Sequence, residues 1–193
     1  VRGTPDDAHQ VERNLRLVEA LGFVAGDRAL AVAIPAAARS SALDRLRAAG
    51  IDPTQPFALI HPGASAVARR YPAAAWGEVA RLLEERGIQT LLTGVEKERP
   101  LVAEAAFRSP ASAVLAGETR LPEYAALLER AAVVLCGNTL PLHLADAVGT
   151  PVAAAFSGTD LESQWRPRAV PHVLRRRPTP CHPCYRFDCP VGL

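Results

Sequence analysis

The chain has 193 residues, 49% hydrophobic, 22% charged and 5% aromatic, a composition that excludes a disordered or collagen-like protein. At about 150 residues per domain the length admits one domain with an appendage, not two full α/β domains. Twenty-two basic against twenty acidic residues leave a formal charge of +2, too near neutral for nucleic acid or an anionic membrane to be the main partner, while a local site for a small anion stays open.

Residues 6–21 place Val11, Leu15, Val18 and Leu21 on one helical face, with acidic residues early and Gly22 as a stop. A second helix is expected over 39–49, closed by Gly50, and Pro53 and Pro56 then punctuate the chain. Residues 1–55 thus read as a helical segment from a domain junction. From Phe57 short apolar runs alternate with amphipathic stretches, the pattern of a parallel sheet. Strands are expected at 57–61, 88–94, 112–117, 133–137 and 151–156, and helices at 73–87, 96–107, 121–131 and 141–149. Five such units predict an α/β, Rossmann-like doubly wound parallel sheet over 56–176, with ligands at the carboxyl ends of the strands. Residues 1–55 should pack less fully than this sheet and leave some apolar surface exposed on the cleft side. Residues 177–193 form a cysteine-containing tail.

Three strand-end loops carry candidate chemistry. In HPGASAVARRYP, residues 61–72, Gly63 permits close backbone approach, Ser65 offers a hydroxyl, and Arg69 and Arg70 offer forked donors that suit phosphate or simply face solvent. In TGVEKE, residues 93–98, Glu96 can accept two hydrogen bonds from ribose hydroxyls or serve as a helix N-terminal acid. In CGNTLPLHLADAVGTP, residues 136–151, Asn138 and Thr139 stand where a strand meets a helix N-terminus, which attracts phosphate, and His143 follows one turn on. These loops should face one cleft. No G-x-G-x-x-G, G-x-x-x-x-G-K-[ST], G-x-S-x-G or H-E-x-x-H pattern occurs.

In order, HPGAS, ARRYP, LLTG-x-E, GNT-x-P-x-HLADAVGTPV, FSGTD and the cysteine tail resemble glycosyltransferase family 9, the heptosyltransferases and their relatives, over about residues 55–190. The resemblance implies the C-terminal half of a GT-B fold and an inverting transfer of a heptose-like sugar from a nucleotide-diphosphate sugar to a cell-envelope saccharide or lipid-linked acceptor. It assigns donor binding to Ser65, Arg69, Glu96, Asn138, Thr139 and His143. Arg69 stands at the family's diphosphate lysine, with Tyr71-Pro72 for its W-P pair. Asn138 replaces an aspartate and Leu140 a glycine whose backbone approaches phosphate. The catalytic base is implied to lie on an N-terminal domain that this sequence does not contain, so the chain alone should bind donor without turnover. Two other readings stand beside this one: a noncatalytic Rossmann-like binding module, and a sugar-nucleotide epimerase of similar fold.

No cofactor is expected. Cys181, Cys184 and Cys189 form C-x2-C-x4-C, open to three readings: a structural tail with reduced thiols, a tetrahedral metal site short of one ligand, or a disulfide, which a cytosolic setting disfavours. Cys136 reads as core. No apolar run reaches the roughly 18 residues of a spanning helix and no leader opens the chain, which predicts a cytoplasmic protein, and the resemblance implies action at the inner membrane face, as a peripheral protein at most. The polar start at Val1 reads as the edge of a fragment.

Overall fold

A computed structural model describes residues 7–191. Its elements run α1 (Gln10–Ala20), α2 (Ala36–Ala48), β1 (Phe57–His61), α3 (Ala73–Glu84), β2 (Gln89–Gly94), α4 (Arg99–Arg108), β3 (Ala113–Ala116), α5 (Leu121–Arg130), β4 (Val133–Gly137), α6 (Leu140–Val148), β5 (Val152–Phe156), α7 (Glu162–Trp165) and β6 (His172–Arg176). The strands form one sheet in the order β3-β2-β1-β4-β5-β6, and every neighbouring pair is parallel. The direction of winding reverses between β1 and β4, the switch point at which such sheets open a crevice beyond their strand ends.

The alternation of side chains along β1 builds both layers. Phe57 and Leu59 enter the core beneath α2, α5 and α6 with Leu91, Val134, Cys136 and Leu142. Ala58 and Ile60 enter the opposite core with Trp76 and Ala80 of α3 and Val102 and Ala105 of α4. Burial on both faces gives the central strands their unbroken apolar runs.

Three features differ from the sequence reading. A sixth strand, β6, extends the sheet: Val152 to Phe156 pair with His172 to Arg176. Its HVLRR sequence is half-exposed to exposed throughout, so it lacks the apolar run that marks the buried strands. The helix expected over 96–107 is a 3₁₀ turn at Glu96–Glu98 followed by α4. The segment 1–55 does not behave as one connection. Ala38, Ala42 and Leu46 of α2, together with Ile34 and Ile51, belong to the core under α5, whereas α1 buries no residue. The expected helix start at Asp6 lies outside the described residues.

Polar links hold α1 in place. His9 caps it by accepting from the Val11 N–H at 3.2 Å and lies 2.9 Å from the Arg166 carbonyl through Nε2. Glu12 pairs with Arg28 at 2.6 Å and Arg168 at 2.8 Å. Leu17, Leu21, Phe23 and Val24, on and just after this helix, remain exposed.

Candidate functional site

The carboxyl ends of β1, β2, β3 and β4 open into one cleft of about 610 Å³, to which Trp165 of α7 also contributes. Ser65, Arg69, Glu96, Asn138, Thr139 and His143 all line it. A smaller polar pocket of about 520 Å³, walled by Gln10, Arg13, Asp160, Gln164 and Tyr185, adjoins it across Arg69 and Trp165.

The loop after β1 leaves the sheet as Pro62–Ser65 and makes a 3₁₀ turn at Val67–Arg69. Arg70 Nε donates to the Ala64 carbonyl at 2.9 Å and staples the loop to itself. Ser65 is exposed. Arg69 is not a free surface cation: its Nη2 donates to Asp160 Oδ1 at 2.9 Å, and its Nε lies 2.9 Å from Oδ2. A guanidinium has five N–H donors, so most of its donors are still available to a ligand.

Two glycines, one after β3 and one after β1, make room for carboxylates from the turn after β2. Gly117, at φ +73°, lies so close to Glu96 that a Cβ there would meet its Oε2. Glu96 is largely exposed and pairs with Arg99 at 2.7 Å. Gly63 lies equally close to the carboxyl of Glu98. Glu98 is buried on the cleft floor, where it accepts from the Val95 N–H at 3.0 Å and lies 3.5 Å from His61 Nε2. Burial pushes this carboxyl up, but hydrogen bonds from His61 and Val95 and the positive charge of Arg70 hold it below the usual range. His61 Nδ1 is 3.2 Å from both the Thr93 and Tyr124 hydroxyls, completing a buried polar floor.

At β4 the strand gives way to α6, whose N-cap is Thr139 in extended conformation without a side-chain capping bond. The first N–H groups of α6 are thus not covered by its own hydroxyl, and the helix dipole adds partial positive charge there. Asn138 is buried and donates to Asp160 Oδ2 at 3.2 Å. Leu140, the first helical residue, is 53% exposed and lines the cleft, so its side chain stands where the resemblance expects a glycine. His143 packs against Trp165 with ring centroids 5.7 Å apart.

Burial first, then the nearby His9 and, to a lesser degree, Arg69, hold the His143 imidazole below its usual range, against the pull of Asp146. Below the roughly 6.5 of an unfolded histidine the unfolded chain therefore binds more protons than the folded one. Stability falls as pH drops through that window. Thermal melts from about pH 7 down to about pH 5, on either side of that value, should show His143→Gln losing part of this acid sensitivity. Parallel pH slopes for the two proteins would remove His143 as its source.

The tail folds back on the site. Cys184 N–H donates to the Gly158 carbonyl at 3.1 Å, Tyr185 N–H to the Thr159 carbonyl at 2.7 Å, and Ala68 N–H to the Phe187 carbonyl at 2.9 Å. Cys181 is exposed and Cys184 half-buried, and both carry free thiols. Among the described residues no group of three His, Cys, Asp or Glu side chains is placed to hold a metal ion. Also among the described residues, no helix is long and apolar enough to cross a membrane.

The sequence reading did not single out His61, Glu98, Tyr124, Asp160 or Trp165. His61 and Asp160 stand inside the HPGAS and FSGTD motifs, which was their only local signal. Glu98 closes the TGVEKE loop beside Glu96, while Tyr124 and Trp165 have no local signal, since their place in the cleft comes from the packing of distant elements.

The family description glycosyltransferase family 9 (heptosyltransferase) matches residues 2–193. Lipopolysaccharide heptosyltransferase 3 of Escherichia coli is 30% identical over 161 residues, 81% of this chain and 46% of that protein. The crystal structure of the glycosyl transferase family 9 from Veillonella parvula DSM 2008 superposes with a TM-score of 0.80 at 19% identity, covering 92% of this chain and 51% of the other. The E. coli heptosyltransferase WaaC with ADP-2-deoxy-2-fluoro heptose gives 0.59 at 21% identity over 88% and 50%. At such identities the two structures speak for the fold, a GT-B-like α/β arrangement. The chain spans about half the length of these relatives. With nearly every residue inside the family match and the strand-end cleft in place, the chain belongs to glycosyltransferase family 9, the heptosyltransferase family.

Proposed function

We propose that this chain is the donor-binding half of a glycosyltransferase, holding a nucleotide-diphosphate sugar of the ADP-heptose type for inverting transfer to a cell-envelope saccharide. The observation that carries this reading is the convergence of Arg69, Thr139 at the start of α6, and Glu96 on one cleft. Arg69, the Ser65 hydroxyl and the α6 N-terminus take the diphosphate, Glu96 takes the ribose hydroxyls, and His143 offers a neutral imidazole beside them. Negative charge grows on the departing nucleoside diphosphate during transfer, so a guanidinium and helix N–H groups lower that barrier electrostatically. The relative solved with ADP-2-deoxy-2-fluoro heptose supports a donor of this class. A base must take the acceptor proton, and it belongs to a further domain. The reaction is assigned to the cytoplasm, at the inner face of the membrane, where a lipid-linked saccharide would be presented.

Leu140 favours a second reading, a binding module without transfer, because its exposed side chain lines the cleft at the helix start. Calorimetry with ADP, UDP and GDP separates the two. The donor reading expects one of the three to bind and Arg69→Ala to bind it roughly 10- to 100-fold more weakly, the worth of one charge-assisted hydrogen bond. Leu140→Gly should bind more tightly than the parent. Failure of all three ligands to bind either the parent or Leu140→Gly overturns the donor reading.

A further inference from the structure

Arg69 is held on its edge and on its face by groups from two other parts of the chain. Asp160, 3% exposed, receives Arg69 Nη2 at 2.9 Å, Asn138 Nδ2 at 3.2 Å and the Thr159 hydroxyl at 2.5 Å. One carboxylate thereby joins the loops after β1, β4 and β5. The tail supplies the second hold: the Phe187 ring centroid is 5.9 Å from Arg69 Cζ, within reach of a cation–π contact. Phe187 is itself anchored, since its carbonyl accepts the Ala68 N–H at 2.9 Å, and the neighbouring Tyr185 N–H is bonded to Thr159 at 2.7 Å. The tail is thus fastened both to the loop that carries Arg69 and to the loop that carries Asp160.

We infer that Asp160 and Phe187 are positioning residues that fix the Arg69 guanidinium for a diphosphate, which makes the carboxy-terminal tail part of the donor site. The inference rests on the donor reading of the cleft. A flexible arginine must be ordered before it can present parallel donors to phosphate, and prior ordering by the protein reduces that cost at binding. The sign of the effect separates this role from bare electrostatics. An anionic Asp160 beside a phosphate site repels the ligand, so if charge alone mattered, Asp160→Asn would tighten binding. Positioning demands the reverse.

The test titrates ADP and adenosine into the parent chain, Asp160→Asn, Phe187→Leu and Arg69→Ala, and into each of the first two combined with Arg69→Ala. The ADP affinity should fall about tenfold in Asp160→Asn, as for loss of one charged hydrogen bond, and about threefold in Phe187→Leu, as for an exposed cation–π contact. Adenosine, which has no phosphate, should bind all of them equally. In the Arg69→Ala background neither second change should matter further, because the two residues act through Arg69. Unchanged or tighter ADP binding by Asp160→Asn, an equal loss for adenosine, or undiminished losses in the Arg69→Ala background would each overturn the inference. If Asp160→Asn does not fold, Phe187→Leu, whose side chain is largely exposed, decides on the same terms. A parent chain that binds no ADP removes the donor reading itself, whereas a parent that binds ADP through Arg69 with no response to Asp160 or Phe187 leaves that reading standing and removes only their role.

Discussion

Asp146→Ala should lose about 3 kcal/mol of stability, the order expected when a carboxylate that collects several backbone N–H groups is removed. Asp146 sits on α6 and is 4% exposed. Its Oδ2 accepts the Arg168 N–H at 2.9 Å, and its Oδ1 accepts those of Ala169 at 2.8 Å and Val170 at 3.2 Å. These three residues turn the chain into β6, whose register opens with Val152 N–H donating to the Pro171 carbonyl at 3.0 Å. Arg168 and Ala169 are exposed and can turn to water, while Val170 is buried, so the cost falls mainly on one N–H and on the turn as a whole. Asp146→Asn keeps one acceptor oxygen and should lose about half as much. Denaturant titration gives the totals, and hydrogen exchange at residues 168–176 should accelerate before the rest of the sheet. A loss under about 1 kcal/mol, the worth of one ordinary hydrogen bond, would mean that the turn holds its shape without Asp146.

The same residue shows where sequence reading stops. The four inner strands are legible because parallel strands covered on both faces must be apolar throughout, and FALIH, LLTG and VVLCG satisfy that locally. β6 is an edge strand fixed by the Asp146 turn and by pairing with β5, and neither leaves an apolar run. The place of α2 in the core is hidden for another reason: it buries Ala38, Ala42 and Leu46, mostly small residues that mark no strong stripe. The six candidate donor residues lie at strand ends, and strand ends in this topology converge, so their meeting comes from the order of the elements. What holds them does not. Asp160 is 91 residues from Arg69, and Glu98 reaches the floor beneath Gly63 only because β2 lies beside β1.

That last contact supports a prediction on both stability and binding. Gly63→Ala should destabilise the protein by about 3 kcal/mol, the upper range for overpacking a closed core, and should weaken ADP binding at least tenfold. A Cβ at position 63 would overlap the Glu98 carboxyl. That carboxyl cannot swing aside cheaply, because it is buried and held by Val95 N–H and His61, and moving a buried charge off its partners is costly. Whichever side yields, the site deforms: displacement of the Gly63 loop moves Ser65 and the turn that carries Arg69, and displacement of Glu98 moves the Val95–Glu96 turn. Adding Glu98→Ala tests the cause, since it removes the atoms that the new methyl would strike. With Glu98→Ala already present, Gly63→Ala should cost under about 1 kcal/mol, a coupling expected only between groups in direct contact. If the full cost of Gly63→Ala persists in that background, the fit against Glu98 is not what the position requires.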